Sequence, residues 1–347
     1  MDRYKILLLV AVPAYGMYAI CASLCKSYRR SKCVVFETRR ALPCYLYLYV
    51  RCKIKAFRKR KGQLYAHRDK PVNPTFTILN CRLKVNDLRW YCWATGYGWD
   101  YPDSVFRDIP LCFCDVLCGR LMAMVITSDD FRLSPQGLCP VRQTMRKFEP
   151  IDELRRASFR LEAGVAEYRL VDCGVEVDIW FKALRADHPV WESVVTMLSP
   201  RDFPVLNVQS LSNGVDGAVE MKSLEISVPL FAGLKSVWAF CDVSLKNLLV
   251  FPSTLGVMGR FTVHGLWMMS QCLAEIEKHK GADAVRAPLS VSVQFKQPLV
   301  LPRKVVIRFW EATDESCQQP RNVCRFQLED YSRGTCYILG QVIREPD

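Results

Sequence analysis

Apolar residues recur at helical spacing in two early stretches of the chain, and several alternating runs follow them. Residues 83–97 predict an amphipathic helix, and residues 109–127 predict a second, apolar helix without internal breakers. Alternating apolar and polar positions then predict strands over residues 165–171, 174–183 and 190–198. Because helices and strands are segregated along the chain, this part is predicted to be an α+β domain.

The last third of the chain repeats this plan. Residues 264–278 carry Leu266, Met269, Leu273 and Ile276 at helical spacing, and Gly281 ends the predicted helix. Short strands separated by turn residues follow over residues 289–295, 304–312, 322–329 and 335–343. We therefore predict two successive domains, residues 75–205 and 218–347, each with one buried helix and an antiparallel meander. Linkers rich in turn residues precede them at 68–74 and 200–217.

A charge-free run at residues 6–25 predicts a membrane anchor over residues 1–30. Its length fits a hydrocarbon core, which a helix crosses in about 20 residues. A cleaved signal peptide is the alternative, although its apolar region is normally shorter and its exit less basic. The stronger positive cluster follows the run, which predicts that the folded part faces the cytosol, as on the endoplasmic reticulum. An acid-poor, Arg-rich N-terminus is also typical of a mitochondrial address.

The net charge of +13 is concentrated near the N-terminus. Residues 1–70 contain 17 Lys and Arg against 3 Asp and Glu, while the remainder contains 31 basic and 32 acidic residues. The folded part is therefore nearly neutral, which argues against nucleic acid as its partner. Residues 31–74 are interpreted as a basic juxtamembrane segment and linker, either solvated or lying against anionic lipid headgroups.

Seventeen cysteines are scattered singly through apolar runs, which favours reduced, buried thiols over a disulfide framework. The densest group, Cys112, Cys114 and Cys118, is spaced too tightly for a zinc knuckle. No metal or cofactor is predicted. The chain also lacks a Gly-rich phosphate loop and a Gly-x-Ser-x-Gly elbow, which argues against nucleotide hydrolases and α/β-hydrolases.

The strongest candidate chemistry lies between residues 237 and 267. Asp242 follows an apolar run, and the pair His264-Gly265 stands where the third predicted helix begins. A carboxylate can transfer a proton, and the N-terminus of a helix can stabilise negative charge on a carbonyl oxygen. Together these groups are suited to chemistry next to a thioester.

Three motifs in order resemble the MaoC-like dehydratases, the (R)-specific enoyl-thioester hydratase family. They are Phe240-Cys-Asp-Val-Ser-Leu-Lys-Asn247, Arg260-Phe-Thr-Val-His-Gly-Leu-Trp267 and Val293-Gln-Phe-Lys-Gln-Pro-Leu-Val-Leu-Pro302. The resemblance covers about 120 residues, and the 22 positions from Asp242 to His264 agree with the family's spacing. It implies a tandem (double) hotdog fold, each half a long central helix wrapped by an antiparallel sheet. The first half resembles the degenerate hotdog of two-domain members.

The resemblance also implies roles for individual residues. Asp242 would be the acid or base that handles the added water, and the Gly265 N–H would bind the thioester oxygen. Asn247, Ser244, His264 and Trp267 occupy the neighbouring catalytic or substrate-binding positions. The implied substrate is an acyl-CoA or acyl-carrier-protein thioester of fatty-acid metabolism. A homodimer is a further expectation for the chain.

The chain departs from the family pattern beside Asp242. The family has His where this chain has Asn247, and Asn where this chain has Ser244. An Asn side chain cannot exchange a proton near neutral pH, so one member of the acid/base pair is replaced. Two hypotheses follow: a 3-hydroxyacyl-thioester dehydratase or hydratase that relies on Asp242, and a catalytically impaired protein that binds acyl thioesters or acts as a scaffold at a membrane.

Overall fold

The computed structural model describes residues 3–66, 74–104, 107–201, 221–232, 235, 262–263, 265–314 and 321–344. Its helices are α1 (Arg3–Arg30), α2 (Tyr45–Arg58), α3 (Val85–Ala94), α4 (Phe113–Thr127), the single turn α5 (Glu153–Arg156) and α6 (Gly265–Lys280). Its strands are β1 (Val35–Phe36), β2 (Phe76–Cys81), β3 (Cys139–Lys147), β4 (Phe159–Val171), β5 (Gly174–Arg185), β6 (His188–Pro200), β7 (Met221–Val228), β8 (Thr262–Val263), β9 (Leu289–Phe295), β10 (Leu299–Val300), β11 (Arg303–Asp314), β12 (Arg321–Asp330) and β13 (Cys336–Arg344).

One continuous sheet joins the two halves of the chain. Within the described residues it has eleven strands in the order β1-β2-β4-β5-β6-β3-β9-β13-β12-β11-β7. Only the β1–β2 pair is parallel, and the other neighbours in this sheet are antiparallel. The halves meet where β3 pairs with β9, with Met145 opposite Val291 and Gln143 opposite Val293. Neither half therefore has a free strand edge at this junction.

Each half contributes one central helix to a shared core. Helix α4 is apolar around most of its circumference, as expected for a helix that is enclosed by protein. Helix α6 is buried along nearly its whole length from Leu266 to Glu277. Buried residues of α4, α6 and both halves of the sheet form one cluster, which includes Leu121, Met269 and Phe326.

The main predicted elements are confirmed. The structure places α3 and α4 within the helices expected from the sequence, and α6 ends two residues beyond its predicted end. Strands β5 and β6 extend the predicted strands by two residues at one or both ends, and β4 begins six residues before its predicted start. Strands β9, β11, β12 and β13 match the final four predicted strands within one or two residues at each end. Six described strands were not predicted: β1, β2, β3, β7, β8 and β10. Most of the predicted linker at 200–217 lies outside the described residues.

The predicted membrane anchor falls on the first helix of the structure. The apolar run lies in α1, which has Arg29 and Arg30 in its last turn. Among the described residues, no helix combines the length and the apolar character that crossing a bilayer requires. The prediction of a transmembrane helix at residues 1–30 is therefore not supported.

Part of the basic segment after α1 packs on the first half of the fold. Helix α2 contacts α4, and Leu48 of α2 is buried. The Lys55 ammonium donates a hydrogen bond to the Ser128 carbonyl just after α4, and Lys59 donates to the Phe131 carbonyl. These two lysines stabilise a loop of the fold, so this part of the segment is not simply a solvated charge run.

The described cysteines are free thiols, as predicted. Six of these fifteen are buried: Cys81, Cys92, Cys112, Cys114, Cys118 and Cys272. Burial raises the pKa of the Cys112 thiol and keeps it protonated. The cysteines of α1 and Cys173 are exposed, so the interpretation of cysteines as buried small hydrophobes holds for only part of the set. No group of His, Cys, Asp or Glu in the described ranges could hold a metal ion.

Candidate functional site

The candidate site lies at the N-terminus of α6. The chain enters this helix from the short strand β8, which pairs with β10 so that Val263 lies opposite Leu299. Both of these side chains are buried, which fixes the residues immediately before the helix. The first backbone N–H groups of an α-helix have no acceptor within the helix, and the helix dipole adds positive potential there. The first turn of α6 contains no acidic residue that would offset this potential.

Gly265 is the first residue of α6, as predicted. The ring of Phe295, at the end of β9, packs directly on its backbone. A Cβ atom on Gly265 would lie 2.7 Å from Cε1 and 2.9 Å from Cδ1 of this ring. Contacts this short do not occur between real Cβ atoms and their neighbours, so any side chain at this position would have to displace the Phe295 ring. The helix therefore begins with a residue that has no side chain to cover its backbone N–H.

Trp267 connects α6 to the end of α3. Its side chain is buried, and its indole N–H donates a hydrogen bond of 2.7 Å to the carbonyl of Ala94. Ala94 is the last residue of α3, where carbonyl groups have no donor within the helix. In the described structure Trp267 thus caps a neighbouring helix, and its predicted contact with substrate stays a prediction.

Further contacts hold the first two turns of α6 against α3 and the loop after it. The Tyr91 hydroxyl donates to Ser270 Oγ at 2.8 Å, and Ser270 Oγ donates to the Leu266 carbonyl at 2.7 Å. Burial raises the pKa of Tyr91 well above its usual value, so this hydroxyl remains a donor. The Gln271 side chain packs so closely on Gly96 that a Cβ atom there would lie 2.2 Å from Gln271 Nε2. Residues from the first half therefore hold α6 in place, and the N-terminus of α6 is the candidate site.

Four of the six predicted site residues, Asp242, Ser244, Asn247 and His264, lie outside the described residues. The last described position before the motif is Lys235, whose Nζ atom lies 3.8 Å above the ring of Trp93 in α3. The cation–π contact places Lys235 beside the helix that Trp267 caps. Only Gly265 and Trp267 of the predicted set have a described position, and the structure brings them into the same first turn of α6.

A half-buried acid that the sequence did not predict lies in the first turn of α4. Asp115 Oδ2 accepts a hydrogen bond of 2.9 Å from Gln143 Nε2, which also donates to Ser193 Oγ at 3.1 Å. Loss of solvent raises the pKa of Asp115 to about 8, although the hydrogen bonds from Ser193 and Gln143 favour the charged form. A single acid within an apolar helix was the signal for it in the sequence.

A second polar cluster surrounds the chain just before α4. Asp108 accepts hydrogen bonds from the backbone N–H groups of Ile109, Ile151 and Asp152 and from Lys147 Nζ, with distances of 2.8 to 3.1 Å. The Lys147 side chain is only 2% exposed, so Asp108 neutralises a charge that would otherwise be buried alone. This pair positions the start of α4.

Glu277 of α6 lies beside this pair and is 6% exposed. Both of its carboxylate oxygens lie 3.0 Å from the Tyr101 hydroxyl, and burial raises the pKa of its carboxyl. Glu277 also borders a cleft of about 350 Å³ that is lined by Arg107, Asp152, Asp283 and Arg286 among others. The lining mixes both signs of charge and does not indicate one class of ligand. This cleft lies toward the C-terminal end of α6, away from Gly265.

Comparisons with known proteins identify the fold. In sequence comparisons, no family model matches the chain, and neither does any curated protein. A MaoC-like dehydratase from Phytophthora capsici has a similar structure, with 16% identity, a TM-score of 0.56, and coverage of 79% of this chain and 96% of that one.

Two further structures give the same result. HtdX from Mycobacterium tuberculosis matches with 16% identity and a TM-score of 0.52, over 77% of this chain and 98% of that one. The full-length peroxisomal multifunctional enzyme type 2 from Drosophila melanogaster matches with 13% identity and a TM-score of 0.53, over 79% of this chain and 48% of that one. The likeness confirms the fold that the sequence motifs implied, which is the hotdog fold of MaoC-like dehydratases.

Proposed function

We propose that the chain is an acyl-thioester hydratase or dehydratase, with acyl-CoA or acyl-carrier-protein thioesters as substrates. The observation that carries this proposal is the position of Gly265 as the first residue of a central helix, in contact with the Phe295 ring. The MaoC-like fold and the order of the three sequence motifs support it.

In the proposed reaction, water adds across the α,β double bond of an enoyl thioester. The Asp242 carboxylate accepts a proton from the water as the water oxygen bonds to the β-carbon, and the Asp242 carboxyl then returns that proton to the α-carbon. Negative charge develops on the thioester oxygen during this addition, and the Gly265 N–H with the dipole of α6 stabilises it. The reverse sequence of steps gives dehydration of a 3-hydroxyacyl thioester.

Asn247 favours a second candidate function. This residue stands where the family has a proton-transferring histidine, and losing such a group typically slows a reaction by about 10² to 10⁴. The alternative is therefore a protein that binds acyl thioesters without turning them over, as a binding or scaffold subunit. Asn247 would then hold the ligand or a water by hydrogen bonds alone.

Hydration of a medium-chain trans-2-enoyl-CoA by the full chain tests both candidates. We expect hydration by the wild type, loss of it in Asp242→Asn, and no change in the control Asp283→Asn, whose carboxylate is 83% exposed. Thioester binding without hydration, measured by calorimetry, would select the alternative. If the wild type neither hydrates nor binds the thioester, both candidates are wrong.

A further inference from the structure

The outer face of α2 is apolar, although the helix lies on the surface. Leu46, Val50, Ile54 and Phe57 are 37%, 41%, 47% and 95% exposed, respectively. Spacings of four, four and three residues put these side chains on one side of the helix, along about 17 Å of its length. We call these four residues the α2 apolar stripe.

The inner face of the same helix carries charge. Arg51 forms an ion pair of 2.8 Å with Asp129, which also lies 3.5 Å from Lys55 Nζ. Lys55 and Lys59 donate hydrogen bonds to the carbonyl groups of Ser128 and Phe131. The buried side of α2 also holds Tyr45 and Leu48, so the helix has apolar residues on both its inner and its outer face. The outer apolar face leaves area in water that a second surface can cover.

Basic side chains border the α2 apolar stripe. Lys53 lies next to it on α2 and packs over the ring of Tyr49, while Arg58 and Arg60 are exposed at its C-terminal end. From Tyr45 to Lys61 the chain contains seven Lys and Arg residues and no acid. An apolar stripe between basic residues is typical of helices that lie in the interface of an anionic membrane.

From this arrangement we propose that α2 docks in the plane of an anionic phospholipid surface, with the α2 apolar stripe among the acyl chains and Lys53, Arg58 and Arg60 at the headgroups. A second copy of the chain is the other occupant to consider. A two-fold contact through this face would bring the same basic residues of two copies together, and their repulsion opposes it. Charge complementarity therefore favours phospholipid. This proposal is independent of the proposed enzymatic function.

Co-sedimentation of the full chain with vesicles tests the apolar contribution. The double variant Ile54→Ser/Phe57→Ser removes two exposed apolar side chains of the stripe. Its matched control is Leu170→Ser/Tyr331→Ser, since those side chains are 68% and 52% exposed elsewhere on the fold. With phosphatidylcholine vesicles that contain phosphatidylserine, we expect the first variant to bind at least about tenfold more weakly than wild type. The control variant should bind like the wild type.

The variant Lys53→Gln/Arg58→Gln tests the electrostatic contribution. At about 1 kcal/mol for each basic residue near an anionic surface, binding should weaken by roughly 20- to 30-fold. Vesicles of phosphatidylcholine alone should bind this variant and the wild type equally. Increased salt should weaken wild-type binding to anionic vesicles, because it screens the attraction.

Three results would overturn the proposal. The first is equal binding of the wild type and Ile54→Ser/Phe57→Ser to anionic vesicles, and the second is equal binding of the wild type to anionic and neutral vesicles. The third is a lipid-free dimer that Ile54→Ser/Phe57→Ser abolishes, because a second copy would then cover the stripe. The variant Phe57→Trp tests membrane contact without removing an apolar side chain from α2. The emission of the introduced tryptophan should shift to shorter wavelength when anionic vesicles are added, whereas the emission of the tryptophan in Leu170→Trp should not.

Discussion

Phe295 lies across the backbone of Gly265, with its ring carbon Cε1 2.7 Å from the point where a Cβ atom of that glycine would be. The two residues belong to different elements, the end of β9 and the start of α6. Their contact joins the strand of one sequence motif to the helix of another. The stability of the fold and the geometry of the candidate oxyanion donor therefore depend on the same pair.

Substitution of Gly265 by alanine should destabilise the protein. An added methyl group must displace the Phe295 ring, and overpacking of this kind typically costs about 1–3 kcal/mol. Alanine has a better helix propensity than glycine, which offsets at most about 1 kcal/mol of this cost. We expect a net decrease in the free energy of unfolding by urea of about 1 kcal/mol or more for Gly265→Ala.

The double variant Gly265→Ala/Phe295→Leu is the control for this contact. Leucine leaves room that the ring occupied, so the cost of the added methyl group should be smaller in the Phe295→Leu background than in the wild type. Additive effects of the two substitutions would mean that the Phe295 ring does not restrict position 265.

Substitution of Trp267 by phenylalanine should weaken the link between α6 and α3. Phenylalanine retains most of the apolar volume but cannot donate to the Ala94 carbonyl, which is buried at the end of α3. An unsatisfied buried carbonyl costs about 1–3 kcal/mol. Denaturant unfolding should show this decrease for Trp267→Phe. Trp99→Phe, at a side chain that is 44% exposed, should leave the free energy of unfolding nearly unchanged.

The strands that the sequence predicted alternate regularly, whereas β3, which it missed, does not. Strands β5, β11 and β12 have clear alternation, and their predicted bounds are close to the observed ones. Strand β3 begins with Cys139-Pro140, and its buried positions include the polar Gln143 and Lys147, which interrupt the pattern. It is a strand because β6 and β9 hydrogen-bond to it from both sides. Pairing with β9 is a long-range contact that local pattern does not reveal.

The orientation of α2 could not be predicted from periodicity alone. Its apolar stripe would ordinarily be assigned to the core, yet Arg51 and Lys55, which pair with Asp129, are less exposed than the stripe. Only part of the candidate site could likewise be predicted from local sequence. The helix start at Gly265 follows from local sequence, whereas Trp267 and its acceptor Ala94 are 173 positions apart. Contacts of this range depend on the tertiary fold.

The buried Asp115 carboxyl should make stability depend on pH. Its pKa is raised to about 8, against 3.8 for an unperturbed aspartate, so the unfolded chain binds fewer protons than the folded one between these values. Stability should therefore fall as the pH rises through this window, by at most about 1.4 kcal/mol per pH unit from this group. Below about pH 4 the group should contribute no pH dependence.

Asp115→Asn isolates this contribution. The Asn oxygen can still accept from Gln143, but it cannot ionise. Urea unfolding at pH 5 and pH 8 should show a smaller difference for the variant, which should be more stable than wild type at pH 8 by about 2–5 kcal/mol. Asp283→Asn, at an exposed side chain, is the matched control. Equal pH dependence in wild type and Asp115→Asn would contradict a buried neutral carboxyl.

Restoring histidine at position 247 should increase hydration of an enoyl thioester. Asp242 already supplies one proton-transfer group in the proposed mechanism, and His adds a second that is active near neutral pH. A positioned acid or base is worth about 10² to 10⁴ in rate, so we expect Asn247→His to raise kcat by at least about tenfold. The effect should disappear in Asn247→His/Asp242→Asn, because the two groups act on the same water.

The pH profile of kcat provides the second readout: Asn247→His should gain an ionisation near the usual pKa of histidine, about 6.5, that the wild type lacks. Asn247→Gln controls for the change of side-chain size without adding a titratable group. If Asn247→His and Asn247→Gln have the same kcat and the same pH profile, the residue at position 247 takes no part in proton transfer.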